Sequence, residues 1–89
     1  MDRLTLLETF AIALDEGSLN RAARRRGITQ SAVSQQIKQL ETAIGQQLLH
    51  RTARGIHATR AGDMVYVHAQ TLLSGYNRMT AELDQLENS

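Results

Sequence analysis

At 89 residues, with 42% hydrophobic but only 3% aromatic content, the chain has room for one small domain plus one long appended helix, built around an aliphatic core. The lack of cysteine excludes disulfides and thiolate metal sites and suits a reducing cytoplasm, and the lack of proline leaves no forced helix break. The net charge of +1 hides an asymmetry: from Ser18 to Arg60 eight basic residues face Glu41 alone, a net of +7, so the flanks carry −6. That is the footprint of a polyanion-binding centre with acidic arms, or of a solvated basic face.

A first helix is predicted with Asp2 as its cap, a stripe of Leu4, Leu7, Ala11 and Leu14 with Phe10 beside it, and Gly17 just beyond its end. A second starts at the cap Ser18 and runs through Ala22 and Ala23 to Arg24, Arg25 and Arg26, where Gly27 stops it. The arginine triplet is expected to touch phosphate or solvent, with one member paired to an acid of the core. Thr29 caps a third helix, in which Val33, Ile37, Leu40 and Ile44 recur at steps of four, three and four before Gly45. Ala23, Gly27, Val33 and Ile37 stand four, six and four apart, the spacing of a helix-turn-helix: a small residue at the crossing, a turn, and two inward apolar residues.

With Val33 and Ile37 inward, the opposite face of the third helix carries Gln30, Ser31, Ser34, Gln35 and Lys38. A face built for solubility alone would use more Glu and Lys. Gln can pair with the N6 and N7 edge of adenine, Ser can donate or accept, and Lys can reach guanine or phosphate. This composition is the expected one for a recognition helix.

From Leu48 to Thr59 the helical period fades. Arg51 to Gly55 reads as a turn, and Ile56 and Ala58 alternate with His57 and Thr59, so a short two-stranded hairpin is predicted. Arg51 and Arg54 then project as from a wing, where arginines reach the minor groove of A·T-rich DNA or simply phosphate. Thr59 caps the last and longest helix. In it Val65, Ala69, Leu72, Tyr76, Met79, Leu83 and Leu86 alternate steps of four and three, a heptad seam of about three repeats. A second copy of the chain is the simplest cover for that seam, although its first third can pack on the first helix.

The stretch from Gly17 to Gly62 resembles the N-terminal domain of LysR-type transcriptional regulators. The likeness is carried by Gly17-Ser18 before Ala22-Ala23, by Thr29-Gln30-Ser31-Ala32-Val33-Ser34, by Gln39-Leu40-Glu41 and Ile44-Gly45, by Leu48-Leu49 before Arg51, and by Thr59 with Ala61-Gly62. Leu19 and Leu49 stand where the family often has Phe, which touches packing detail only. The resemblance implies a mainly α winged helix-turn-helix, three helices plus a β-hairpin wing, over residues 1–58, followed by a linker helix over 59–89 that pairs two subunits. It implies homodimers on partly palindromic promoter DNA, with higher oligomers open to the full-length protein, and an effector domain that this chain lacks. Base-reading positions of the family fall on Gln30, Ser31, Ser34 and Gln35; those touching phosphate or the minor groove fall on Thr29, Lys38, Arg51 and Arg54. The pairing seam falls on Val65, Ala69, Leu72, Tyr76, Met79 and Leu83.

Three other readings compete. An enzyme or metal site would draw on His50, His57, His68 and Asp63, but nothing spaces three ligands onto one face, and no phosphate loop or nucleophile motif occurs. A pure dimerisation module would have no use for the Gln/Ser face. A winged-helix regulator of the molybdate-responsive type fits the junction at Thr59, Ala61 and Gly62 less well. No catalytic role, cofactor or metal is therefore expected. With no signal peptide and no apolar run near the roughly 20 residues that span a bilayer, a cytoplasmic protein without membrane contact is expected.

Overall fold

The computed structural model describes residues 1–88. Its elements run α1 (Arg3–Glu16), α2 (Leu19–Arg26), α3 (Gln30–Ile44), β1 (Leu49–Thr52), β2 (Gly55–Ala58) and α4 (Arg60–Glu87). Each helix starts where its capping side chain accepts a backbone N–H three residues on: Asp2 from Thr5, Ser18 from Arg21, Thr29 from Ala32 and Thr59 from Gly62. The Thr5 amide also holds the Asp2 carboxyl below its ordinary range. Gly17, Gly27 and Gly45 end the first three helices, so both ends of every short helix are written locally in the sequence.

One core joins the helices and the wing: Leu6, Phe10, Ala13, Leu19, Ala22, Ala23, Val33, Ile37, Leu40, Leu48 and Ile56. Phe10, at the centre, has no exposed surface. The face that α1 turns to this core is Leu6, Thr9, Phe10 and Ala13, and the predicted stripe lies to one side of it. Of that stripe Ala11 is buried, while Leu4, Leu7 and Leu14 are half-buried. The reason is that α1 packs against α2, α3, α4 and β2 at once and is apolar on nearly every side, so its period alone does not select a single face.

In α3 the inward set is Val33, Gln36, Ile37 and Leu40; Ile44, expected inward, is 41% exposed at the helix end. Gln36 is buried because its Oε1 accepts the hydroxyl hydrogen of Thr9 at 2.5 Å, a polar pair sealed between α1 and α3. Such a bond satisfies groups that would otherwise cost about 1–3 kcal/mol to bury.

The two strands pair antiparallel, Leu49 with Ala58, His50 with His57, Arg51 with Ile56 and Thr52 with Gly55. Arg51 and Thr52, read from sequence as part of the turn, therefore belong to β1, and only Ala53 and Arg54 turn the chain. Gly55, at φ +114°, fits because a Cβ there would lie 2.5 Å from the Gly17 carbonyl oxygen. Glu41, the only acid between Ser18 and Arg60, fastens the hairpin to α3 by accepting the Leu48 and Leu49 amides at 2.7 and 3.3 Å.

The first turns of α4 belong to this same core. Ala61, Val65 and Tyr66 pack on it, and Gly62 and Ala69 are buried. The Tyr66 hydroxyl donates to Asp15 at the end of α1, and that bond raises its pKa above the ordinary value. Past Ala69 the helix keeps only an edge on α1, where Leu73, Tyr76 and Asn77 line a hollow with Leu4, Thr5 and Glu8. It then leaves the domain, which accounts for the 52 Å long axis of a molecule 25 and 22 Å across. Past Ala69, Leu72, Tyr76, Met79, Leu83 and Leu86 remain 48 to 72% exposed.

Candidate nucleic-acid interface

The surface opposite Val33 and Ile37 is built as the sequence suggests. Gln30, Ser31, Gln35 and Lys38 are exposed along α3, and Ser34 is half-buried beside them. Thr29 starts this face: its hydroxyl oxygen accepts the Ala32 amide at 3.0 Å, leaving its hydrogen free to donate outward. The wing lies alongside. A groove of about 520 Å³ runs between α3 and β1, with Leu19, Ile37, Leu49 and Ile56 as its apolar floor and Ser34, Gln35, Lys38, His50 and Arg51 among its polar walls. A smaller hollow joins Ser18, Asn20, Gln30, Arg51 and Thr52 on the other side of Arg51. Base-reading candidates and wing candidates thus share one surface. Thr29, Lys38 and Arg51 border it, and Arg54 stands further out, at the turn of the hairpin.

The basic residues are sorted by position. Arg25 pairs with Glu16 at 3.2 Å, and Arg26, only 19% exposed at its side chain, pairs with Glu8. Both acids belong to α1, so the end of α2 is tied back to the domain and two members of the arginine triplet are turned away from the groove. Ion pairs at the surface such as Arg25–Glu16 add little stability, about 0–1 kcal/mol, but both pairs fix where the charge points. Arg21, Arg24, Lys38, Arg51, Arg54 and Arg60 have no carboxylate partner among the described residues. Their unneutralised charge is what a polyanion would meet.

Two contributors are not assigned to this surface from the sequence, where His50 is weighed only as an enzyme or metal residue. Asn20 and His50 border the hollows beside α3, and only the hairpin register brings His50 there. Among the described residues no three His, Cys, Asp or Glu side chains are grouped to hold a metal ion, and no helix is long and apolar enough to cross a membrane.

Comparison with known proteins gives the same family from three directions. Residues 4–63 match the family described as bacterial regulatory helix-turn-helix protein, lysR family. The chain is 42% identical over 80 residues to the HTH-type transcriptional regulator DgdR of Burkholderia cepacia, covering 90% of this chain and 27% of that protein. It is 47% identical over 70 residues to the nitrogen assimilation regulatory protein nac of Klebsiella aerogenes, covering 79% of this chain and 23% of that protein. The chain therefore spans about a quarter of the length of these relatives. Among solved structures, the BenM DBD in complex with catB site 1 DNA superposes with a TM-score of 0.93 at 32% identity, over 100% of this chain and 99% of that one. The CbnR DBD in its DNA complex gives 0.87 at 28% identity, over 97% and 98%.

Proposed function

The chain belongs to the lysR family of bacterial regulatory helix-turn-helix proteins, and on that premise we propose that it binds double-stranded promoter DNA by sequence, as a homodimer, to regulate transcription in the cytoplasm. Residues 1–58 form the reading head and the helix that follows, expected over 59–89 and described to residue 88, pairs the subunits, its first turns being shared with the head. The carrying observation is the face of α3: Gln30, Ser31 and Gln35 are exposed, uncharged and short, and unpaired basic side chains frame them. Such a face has little to offer bulk solvent and much to offer base edges. Lys38 and the Thr29 hydroxyl fit flanking phosphates, which fix register without carrying sequence information. The BenM and CbnR domains that this chain resembles are in complex with DNA, which supports a DNA-binding role for the same fold.

Selection of bound duplexes from a random pool, scored for enrichment and symmetry at moderate salt, tests this. A two-fold related motif, with half-sites about one helical turn or roughly 34–36 Å apart, supports a sequence-specific dimer. Binding without enrichment that vanishes as salt rises would reduce the chain to a non-specific polyanion binder.

Two variants sharpen the assignment. Gln30→Ala or Gln35→Ala is expected to cost about 1–3 kcal/mol on the selected site and to relax preference at a single base position. An unchanged preference profile in a repeated selection would remove that glutamine from the reading set. Arg54→Ala is expected to weaken binding more on operators with A·T-rich flanks than on G·C-rich ones, because a narrow minor groove concentrates negative potential. Fluorescence anisotropy on matched duplexes measures this, and equal losses on both flanks would leave Arg54 as a phosphate contact.

A further inference from the structure

Arg51 and Arg54 are equivalent in the sequence as two basic residues of one wing, and the fold separates them. Arg54 is in the two-residue turn, where its backbone amide donates to Thr52 Oγ1 at 3.2 Å and its side chain is exposed. Arg51 is in β1 opposite Ile56, which is buried. Directly paired residues point to the same face of a hairpin, so Arg51 leaves the strand on the side that turns toward α3. Its Nη2 donates to Ser34 Oγ at 3.1 Å. The side chain borders the groove that contains Ser34, Gln35 and Lys38 and also the hollow that contains Gln30 and Asn20. It lies along the first two turns of α3, away from the wing tip.

We propose that Arg51 is a base-reading residue on the α3 side of the interface, that its target is the O6 and N7 edge of a guanine in the major groove, and that Ser34 is the residue that positions it. This rests on the DNA-binding function proposed above and assigns a specificity to it. A guanidinium carries five donors in a fixed fork, so one bond to Ser34 leaves a pair free for a bidentate acceptor. No carboxylate pairs with Arg51 among the described residues, and Glu41, the only acid of the segment, is held by the Leu48 and Leu49 amides through Oε2. Holding the long side chain in place before binding lowers the ordering entropy that an arginine otherwise loses. The minor groove then falls to Arg54 alone.

The test uses the operator recovered from the random pool, with each half-site guanine replaced in turn by 7-deazaguanine, which removes the N7 acceptor and leaves the minor groove and phosphates intact. Wild-type protein is expected to lose about 5–100-fold in affinity at one guanine per half-site, the range of a bidentate contact. Arg51→Ala should lose nothing further at that guanine. Arg51→Lys, which keeps the charge without the fork, should lose the discrimination but keep the salt slope. Ser34→Ala should weaken discrimination, and the double variant should be no worse than Arg51→Ala alone, since the two side chains act as one unit. Equal losses for Arg51→Ala on operator and scrambled duplex, a recovered half-site without guanine, or a flat deazaguanine series would each overturn the assignment while leaving DNA reading intact. Failure of the wild type to enrich any motif would instead remove the sequence-specific DNA reading proposed above.

Discussion

Gly62→Ala is expected to lower the thermal midpoint of the chain by roughly 5–20 °C. A Cβ built at Gly62 lies 2.0 Å from the Leu48 carbonyl oxygen, 3.0 Å from its carbonyl carbon and 3.2 Å from Ala58 Cβ. The first two contacts are backbone, so no side-chain rotation relieves them. That same carbonyl accepts the Thr59 amide at 3.0 Å, and Thr59 Oγ1 donates to the Gln47 carbonyl at 2.6 Å while accepting from the Gly62 amide. The junction is thus a knot in which the segment before β1, the end of β2 and the start of α4 meet through backbone atoms. Overpacking a tight site costs about 1–3 kcal/mol and sometimes more, and a displaced backbone hydrogen bond adds about 1 kcal/mol. Alanine returns up to about 1 kcal/mol through helix propensity. The net is about 1–3 kcal/mol, and each kcal/mol moves the midpoint of a domain this size by about 4–8 °C. Thermal unfolding followed by circular dichroism measures it, and a midpoint equal to or above wild type would show that α4 can move away from Leu48 at little cost. In that case the start of α4 would not be a rigid reference for the wing.

This junction also shows where sequence reading succeeds and where it stops. The caps Asp2, Ser18, Thr29 and Thr59 and the stops Gly17, Gly27 and Gly45 act within a few residues of themselves, so helix ends are legible from local chemistry. The crossing of α2 and α3 is legible for a related reason: Ala23, Val33 and Ile37 must be small or apolar at fixed spacing, and all three are buried. Ala61 and Gly62 carry the family likeness, but the carbonyl that forbids a Cβ at Gly62 comes from Leu48, which only the folded chain brings near.

Polar residues with distant partners are the least legible. Gln36 reads as one more glutamine of a Gln-rich helix until Thr9 is placed against it, 27 positions away. Glu41 is the one acid in a strongly basic stretch, a signal available in the sequence, yet its role as the acceptor for Leu48 and Leu49 appears only with the hairpin in place. The split between Arg51 and Arg54 depends on strand register, because a shift of one residue would turn Arg51 to the opposite face. In α1, the run from Leu4 to Leu14 offers two overlapping apolar stripes, and only the number of neighbours around the helix decides between them.

Leu72→Glu is expected to convert a dimer to a monomer in analytical ultracentrifugation and, with it, to remove most of the affinity for a two-half-site operator. Of the predicted seam, Ala69 is fully buried and Val65 packs on the core of its own chain, so these two serve the fold first. The exposed remainder is Leu72, Tyr76, Met79 and Leu83, continued by Leu86, one stripe along the part of α4 past Ala69, of which Tyr76 also borders α1. Fully burying an aliphatic side chain contributes about 1.5–3 kcal/mol, and these are half exposed, so each offers about half of that to a partner. Summed over both helices of a symmetric pair, the gain falls in the range that association must overcome, about 4–15 kcal/mol. The margin is narrow, so one carboxylate at the seam, present twice by symmetry, is enough to dissolve the pair. Because Leu72 is 54% exposed, the monomer tolerates the change, and its circular dichroism should match wild type. Met79→Lys repeats the experiment with the opposite charge, which excludes a simple effect of added acid near Glu82 and Asp84. DNA binding then reports the coupling between the two halves of the chain. Two linked reading heads gain about 10²–10⁴-fold over one, so both variants should bind the full operator no better than a half-site. Variants that stay dimeric would place the pairing surface elsewhere on the molecule. Variants that become monomeric yet keep full operator affinity would mean that DNA, and not α4, holds the two reading heads in register.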